Sequence, residues 1–231
     1  MRHCRGDMTE ALLFDFNGVI ADDEEQHREA LNTVLAEGGI SLTREQYYSE
    51  YLGRDDRTSL MEAFRRAGRP LATVRLERLL AEQSRIYQRL IDRSLSLVPG
   101  VADFVPRAAE RFRLGLVSGA RRHEIETVLA RAGLRSHFEV ILAAEDVPRA
   151  KPDPAGYLAA RAALARRRPL AARSCVVIED SLRGLEAAHA AGMRCAMLAT
   201  SHAPNDLAGA DVVWDSFAGH DPTELLPLTD G

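Results

Sequence analysis

Short apolar runs alternate with stretches of helical spacing along most of the chain. Ala11-Leu12-Leu13-Phe14, Leu114-Gly115-Leu116-Val117, Phe138 to Leu142, Cys175-Val176-Val177-Ile178 and Met193 to Ala199 each read as a buried strand, and Asp211-Val212-Val213 as a sixth. Segments 121–132, 153–166 and 182–191 read as helices between them, the second capped by Asp153. Strands that alternate with helices predict an α/β fold: a doubly wound parallel sheet, Rossmann-like, covered on both faces.

Residues 22–97 break that rhythm. His27, Leu31, Val34 and Leu35 fall at helical spacing, as do Leu76, Leu80, Tyr87 and Ile91, and 43–51 and 56–67 also read as helical. No strand is expected there. The expected organisation is a core of residues 1–21 plus 98–231, with an all-helical cap of residues 22–97 carried on two crossings. The cap closes at Val98-Pro99-Gly100.

A chain of 231 residues, 46% hydrophobic and 28% charged, can bury a sizeable core. A net charge of -4 gives no basic surface for nucleic acid, and the Arg166-Arg167-Arg168 run reads as a solvated helix C-terminus. No apolar stretch is long enough to span a bilayer, and the first ten residues carry no signal-peptide core, with Met8 as a second candidate start. Cys4, Cys175 and Cys195 are odd in number and scattered, which suggests a reducing, cytoplasmic setting. A monomer or weak homodimer is expected. One compositional fact bears on chemistry: among 30 basic residues there is a single lysine, Lys151. Arginine does not replace an ammonium where a compact charge must approach a phosphoryl group.

Ligands of parallel sheets bind beyond the carboxyl ends of the strands. Asp15 follows the first strand, Ser118 the second and Glu179-Asp180 the fourth, while Lys151 lies in the loop "RAKPDP". Together they suit phosphoryl transfer. Asp15 can attack phosphorus as a nucleophile. Asp15, Asp180 and Glu179, with the backbone carbonyl of Asn17, offer hard oxygen ligands for Mg²⁺. Lys151 balances the remaining charge, and Ser118 can hydrogen-bond a phosphoryl oxygen. Gly18 and Gly119 leave room for backbone to approach. Taken singly, each of these residues is ordinary as a turn or helix cap; it is their order along one sheet edge that points to a site.

The ordered set "DFNGV", "LVSG", "AKPDPAGY" and "VIEDSLRG" resembles the four motifs of the haloacid dehalogenase superfamily, in the branch with a helical cap after the first motif. The resemblance spans about residues 10 to 215. It implies a Mg²⁺-dependent phosphatase acting on a small phosphorylated metabolite, such as a sugar phosphate, through an aspartyl-phosphate on Asp15. A phosphomutase of the beta-phosphoglucomutase type is the alternative. The departure is Asn17, where the family's phosphatases carry an acid–base Asp. An amide cannot move that proton, a loss of about 10²–10⁴-fold. Asn17 therefore also admits a catalytically impaired phosphate-ligand-binding protein. It further leaves open an unusual substrate, another acid, or an engineered trap.

The same resemblance points to cap residues. His27 stands where mutase-like relatives carry a histidine, and is a candidate surrogate acid or simply the start of a helix's apolar face. "YLGRDDRTSL" resembles the substrate loop, with Gly53 and Arg57 as contacts. The mutases carry Arg near the place of Asp56, which counts against that activity. Ala120 and Arg121 complete the candidate phosphate contacts, Arg121 and Arg122 either touching phosphate or beginning a helix in solvent. Asp22-Asp23-Glu24-Glu25 reads as the N-terminal charge of a helix, and His202 as a surface-loop residue.

Overall fold

The computed structural model describes residues 8–226; Cys4 lies outside them. Six strands form one parallel sheet: β1 (Ala11–Phe14), β2 (Arg113–Val117), β3 (Val140–Leu142), β4 (Cys175–Glu179), β5 (Arg194–Leu198) and β6 (Val212–Trp214). Their order is β3-β2-β1-β4-β5-β6. The chain winds outward in both directions from the β1–β4 boundary, and such a switch point leaves a crevice at the strand ends.

The interiors of the central strands are apolar because both of their faces are buried. Alternate residues serve opposite layers. Leu12, Phe14, Leu116, Val176 and Ile178 pack against α5 (Val101–Ala109) and α6 (Arg122–Arg131). Leu13, Val117, Val177 and Cys195 pack against α7 (Ala155–Leu164) and α8 (Leu182–Ala190).

Between β1 and α5 lie α1 (Glu24–Ala36), α2 (Arg44–Gln46), α3 (Asp56–Arg66) and α4 (Thr73–Arg93), and no strand. The segment expected to be helical over 43–51 is a short α2 that widens into a π-turn over Tyr47–Tyr51. The two crossings are tied together: Ala21 pairs with Leu97, Asp22 N–H donates to Ser96 O at 3.0 Å and Val98 N–H to Ile20 O at 3.1 Å.

Three expectations need correction. The helix α5 was not anticipated, although Val101, Phe104, Val105 and Ala108 fall at helical spacing and are all buried; Pro106 inside it disguises the pattern. The strand expected from Phe138 begins only at Val140, because Phe138 ends a turn and tucks its ring edge-on against Phe14, centroids 5.6 Å apart. Asp153 does not cap α7: the cap position belongs to Pro154, and Asp153 accepts the Ala155 N–H at 2.9 Å from one residue earlier.

Candidate active site

Because β2, β1 and β4 are neighbours, the residues that follow them are neighbours too. Asp15, Ser118, Lys151 and Asp180 line one cleft of about 640 Å³, together with Asn17, His27, Gly53, Arg57, Gly119, Ala120 and Arg121. The expected substrate-contacting positions are thus brought to one place, except Gly18, which serves from behind.

Lys151 is the centre of the charge arrangement. Its ammonium donates to Asp15 Oδ1 at 2.5 Å, to Glu179 Oε1 at 2.6 Å and to Val117 O at 3.3 Å. Burial works against that charge, but the Asp15 and Glu179 carboxylates outweigh it and push the lysine pKa up. Glu179 is fully buried, and Tyr157 donates its hydroxyl to the same Oε1 at 2.8 Å. Its other oxygen accepts the backbone N–H groups of Asp180 and Ser181 at 3.0 and 3.1 Å. Although burial raises the pKa of Glu179, Lys151 and these donors hold it below the ordinary range.

Asp15, Glu179 and Asp180 each place a carboxylate oxygen within 4.8 Å of the others. Three carboxylates face one ammonium. Burial raises Asp15 to about 7, against the pull of Lys151 and with the push of Glu179. Burial, then Glu179 and Asp15, raise Asp180 well above its usual range. Hard oxygen donors with surplus negative charge suit a divalent cation such as Mg²⁺. Gly18, at φ 69°, lets backbone pass close to Asp180: a Cβ there would lie 2.0 Å from Asp180 Oδ2.

Ser118 is buried, and its Oγ accepts the Ala120 N–H at 3.0 Å. The cap loop rests on both neighbouring strand ends. A Cβ on Gly53, at φ 70°, would lie 2.9 Å from Ser181 Cβ, and one on Gly119 would lie 3.6 Å from Asp55. Arg57 is exposed on the rim and donates to Glu77 at 2.6 Å. Arg121 stands at the start of α6 beside the cleft, whereas Arg122 is held by Glu126 and Asp146.

Asn17 is fixed from behind. Its Nδ2 lies 3.1 and 3.0 Å from the two oxygens of Asp23 and 2.8 Å from His27 Nε2. Asp23 is fully buried and also accepts the Tyr87 hydroxyl. The acidic run stands at the N-terminus of α1 as expected, with Glu24 and Glu25 in its first turn, but Asp23 at the cap position makes no capping bond, its carboxylate having turned inward to the amide. Burial works against a charged His27, yet Asp23, Asp56, Glu24 and Glu124 outweigh it and raise its pKa.

Sequence reasoning missed Asp23, Tyr157, Thr200 and Ser201. Ser201 donates to Asp180 Oδ2, and Thr200 donates to Gly18 O at 2.7 Å. Both follow the carboxyl end of β5, so the edge argument that found Ser118 would have reached them. Asp23 carried no such signal, since its role depends on the amide it meets. His202 is half-buried and does not line the cleft.

Residues 12–198 match the family model described as haloacid dehalogenase-like hydrolase. The chain is 34% identical to protein CbbY of Cereibacter sphaeroides, over 91% of this chain and 94% of that one. It is 32% identical to hexitol phosphatase B of Escherichia coli K12, over 85% and 86%. A crystal structure of a CbbY variant from Rhodobacter sphaeroides in complex with xylulose-(1,5)bisphosphate has the same fold, with a TM-score of 0.80 at 31% identity, covering 92% and 96% of the two chains. With a family model matching most of its length and its polar residues gathered at the ends of β1, β2 and β4, this chain belongs to the haloacid dehalogenase-like hydrolases.

Proposed function

We propose that the protein is a Mg²⁺-dependent phosphatase of small phosphorylated metabolites, sugar or polyol monophosphates, working through an aspartyl-phosphate on Asp15. The observation that carries this reading is the contact of Lys151 with Asp15 and Glu179, beside Asp180. A nucleophilic carboxylate must approach an anionic phosphoryl group, which needs cationic charge beside it: Lys151 supplies part, and a divalent cation on the three carboxylates would supply the rest. The hexitol phosphatase relative supports a polyol phosphate, and the CbbY structure, which holds xylulose-(1,5)bisphosphate, supports a sugar phosphate without favouring a monophosphate.

In this reading Asp15, Asp180, Glu179 and the carbonyl of Asn17 would hold the metal. Mg²⁺ there supplies Lewis-acid stabilisation of the phosphoryl oxygens. Asp15 forms a new P–O bond while the ester P–O bond breaks, Lys151 and Ser118 bind the oxygens that carry the charge, and the leaving alkoxide takes a proton from solvent water. Water then attacks the phosphorus of phosphorylated Asp15 and gives up a proton to solvent, the Asp15–phosphorus bond breaks, and phosphate leaves. Asn17 can orient these groups but neither gives nor takes the proton. Alkyl phosphates are therefore turned over slowly and acyl phosphates faster in the first step.

The clamping of the Asn17 amide by Asp23 favours a second reading, a protein that binds or traps phosphate and releases it slowly. Asp56, an acid on the cap side of the cleft, opposes the mutase reading. Phosphate release and intact mass, followed with acetyl phosphate and hexitol phosphates in Mg²⁺, test the proposal. Turnover with a transient mass gain on Asp15 is expected. No release and no mass gain with any donor would refute the phosphatase.

A further inference from the structure

On the cap side the cleft is lined by Glu24, His27, Tyr47, Asp56 and Gln83. Tyr47 donates its hydroxyl to Glu24 Oε2 at 2.9 Å, and Gln83 Nε2 donates to Asp56 Oδ1 at 2.6 Å. Each carboxylate is thereby held through one oxygen. Gln83 is 2% exposed, and its carbonyl Oε1 is a buried acceptor without a partner among the described residues. A buried acceptor left unpaired is costly, so its presence at a cleft wall implies a donor supplied from outside.

Charge points the same way. Glu124, 1% exposed, lies close enough to Asp56 for that carboxylate to help raise its pKa. Burial raises Glu24 and Glu124 to about 7 and Asp56 above its usual range, with neighbouring carboxylates adding to it. His27 offsets these charges, and Arg121 acts on Asp56 from the core side. A second phosphate brought to this wall would meet acceptors and like charge. An ammonium would meet what it lacks.

We propose that the wall formed by Glu24, Asp56 and Gln83 is a subsite for a protonated amine, so that the preferred substrate is a phosphate monoester whose other end carries an ammonium group. This deepens the phosphatase reading and rests on it for the phosphate end. An ammonium has three donors and no acceptor, matching two carboxylates and one amide carbonyl. A hydroxyl can satisfy Gln83 but forms only neutral-donor bonds, and charge-assisted bonds are about twice as strong.

The test compares glucosamine 6-phosphate with its charge-free relatives N-acetylglucosamine 6-phosphate and glucose 6-phosphate, and with fructose 1,6-bisphosphate. Both kcat/KM in Mg²⁺ and calorimetric Kd on an Asp15→Asn variant are measured, so that slow turnover cannot hide the preference. The amine should be favoured over the two neutral sugars by about 10-fold or more, with the bisphosphate weakest. Asp56→Asn/Gln83→Leu should bring the amine-to-neutral ratio towards one, and Asp56→Arg should raise the bisphosphate above the amine. Folding of each variant is checked by thermal melting, and the comparison on the unaltered chain stands without them. Equal affinities, or a bisphosphate that binds best to the unaltered chain, would overturn the subsite. Amine-selective binding with no phosphate release and no phosphorylated Asp15 from acetyl phosphate would instead overturn the phosphatase reading and leave the subsite standing.

Discussion

Asn17→Asp is the direct test of what the amide costs, and the structure gives it a complication. The substituted oxygen would take the place of Nδ2, 3.0–3.1 Å from both oxygens of Asp23, which is fully buried. Two unit charges at about 3 Å and an effective dielectric of about 20 repel by roughly 5 kcal/mol, the equivalent of about four pKa units. The pair would keep one proton near neutrality, as carboxylates sharing a site do. A dyad in that state can give a proton to a leaving alkoxide but is slow to take one from water. The single variant should therefore form phosphorylated Asp15 faster and then accumulate it. The exchange Asn17→Asp/Asp23→Asn restores one amide facing one carboxylate with the same geometry. It should yield the full gain of about 10²–10⁴-fold in kcat/KM on a hexitol phosphate. Rapid-quench kinetics with intact-mass analysis, repeated from pH 6 to 9, separates the two steps. If the single and exchanged variants give the same rates, the same pH profile and the same amount of phosphoenzyme, Asp23 does not govern position 17 and the argument fails.

Three further outcomes are expected. Asp15→Asn should lose turnover at every Mg²⁺ concentration, whereas Asp180→Ala should recover part of its activity as Mg²⁺ is raised; identical titration curves would count against the separate roles. Gly184 lies inside α8, where Ala ordinarily adds about 1 kcal/mol, but its Cβ would sit 1.8 Å from the Glu179 carboxyl carbon. Gly184→Ala should instead lower stability in urea titration, by about 1–3 kcal/mol for overpacking, and a gain would contradict the packing described. Burial raises Glu24 from its ordinary 4.5 to about 7, so between those values the folded chain holds a proton that the unfolded chain has released. Stability from this group is present below about 4.5 and declines as pH rises to about 7. Glu24→Gln should thus raise the melting temperature at pH 8 and leave it nearly unchanged at pH 5, and an equal shift at both would refute the assignment.

The sheet was legible because its strands are buried on both faces. An uninterrupted run such as Cys175-Val176-Val177-Ile178 is too short for a buried helix and is rich in β-branched residues, which favour a strand. The edge residues Asp15, Ser118 and Asp180 were legible for the same reason, since a run's end marks a strand's end. Helix α5 was obscured by Pro106, whose ring can be accommodated there although it usually ends a helix. Within the acidic run at 22–25, Asp23 alone misled, because a carboxylate before a helix ordinarily faces its N–H groups. Here Asp23 instead meets Asn17, six residues earlier, with Tyr87 from α4 also donating to it. Gln83 was illegible for a similar reason: a glutamine at a buried helix position shows its purpose only once Asp56 stands beside it.

The single lysine has a practical consequence. Outside the chain's amino terminus, Lys151 is the sole aliphatic amine in 231 residues, and it is held between Asp15 and Glu179. Acylating reagents attack the neutral amine, so that ion-pair network should keep the side chain silent while it is intact. Any loosening of Asp15 or Glu179, by substitution or by a ligand that draws them away, would expose a nucleophile. Every acyl group found on a side-chain amine would then report on one location. The protein carries its own label site: the mass added by an amine-reactive reagent would measure how often Asp15 and Glu179 let their counter-charge go.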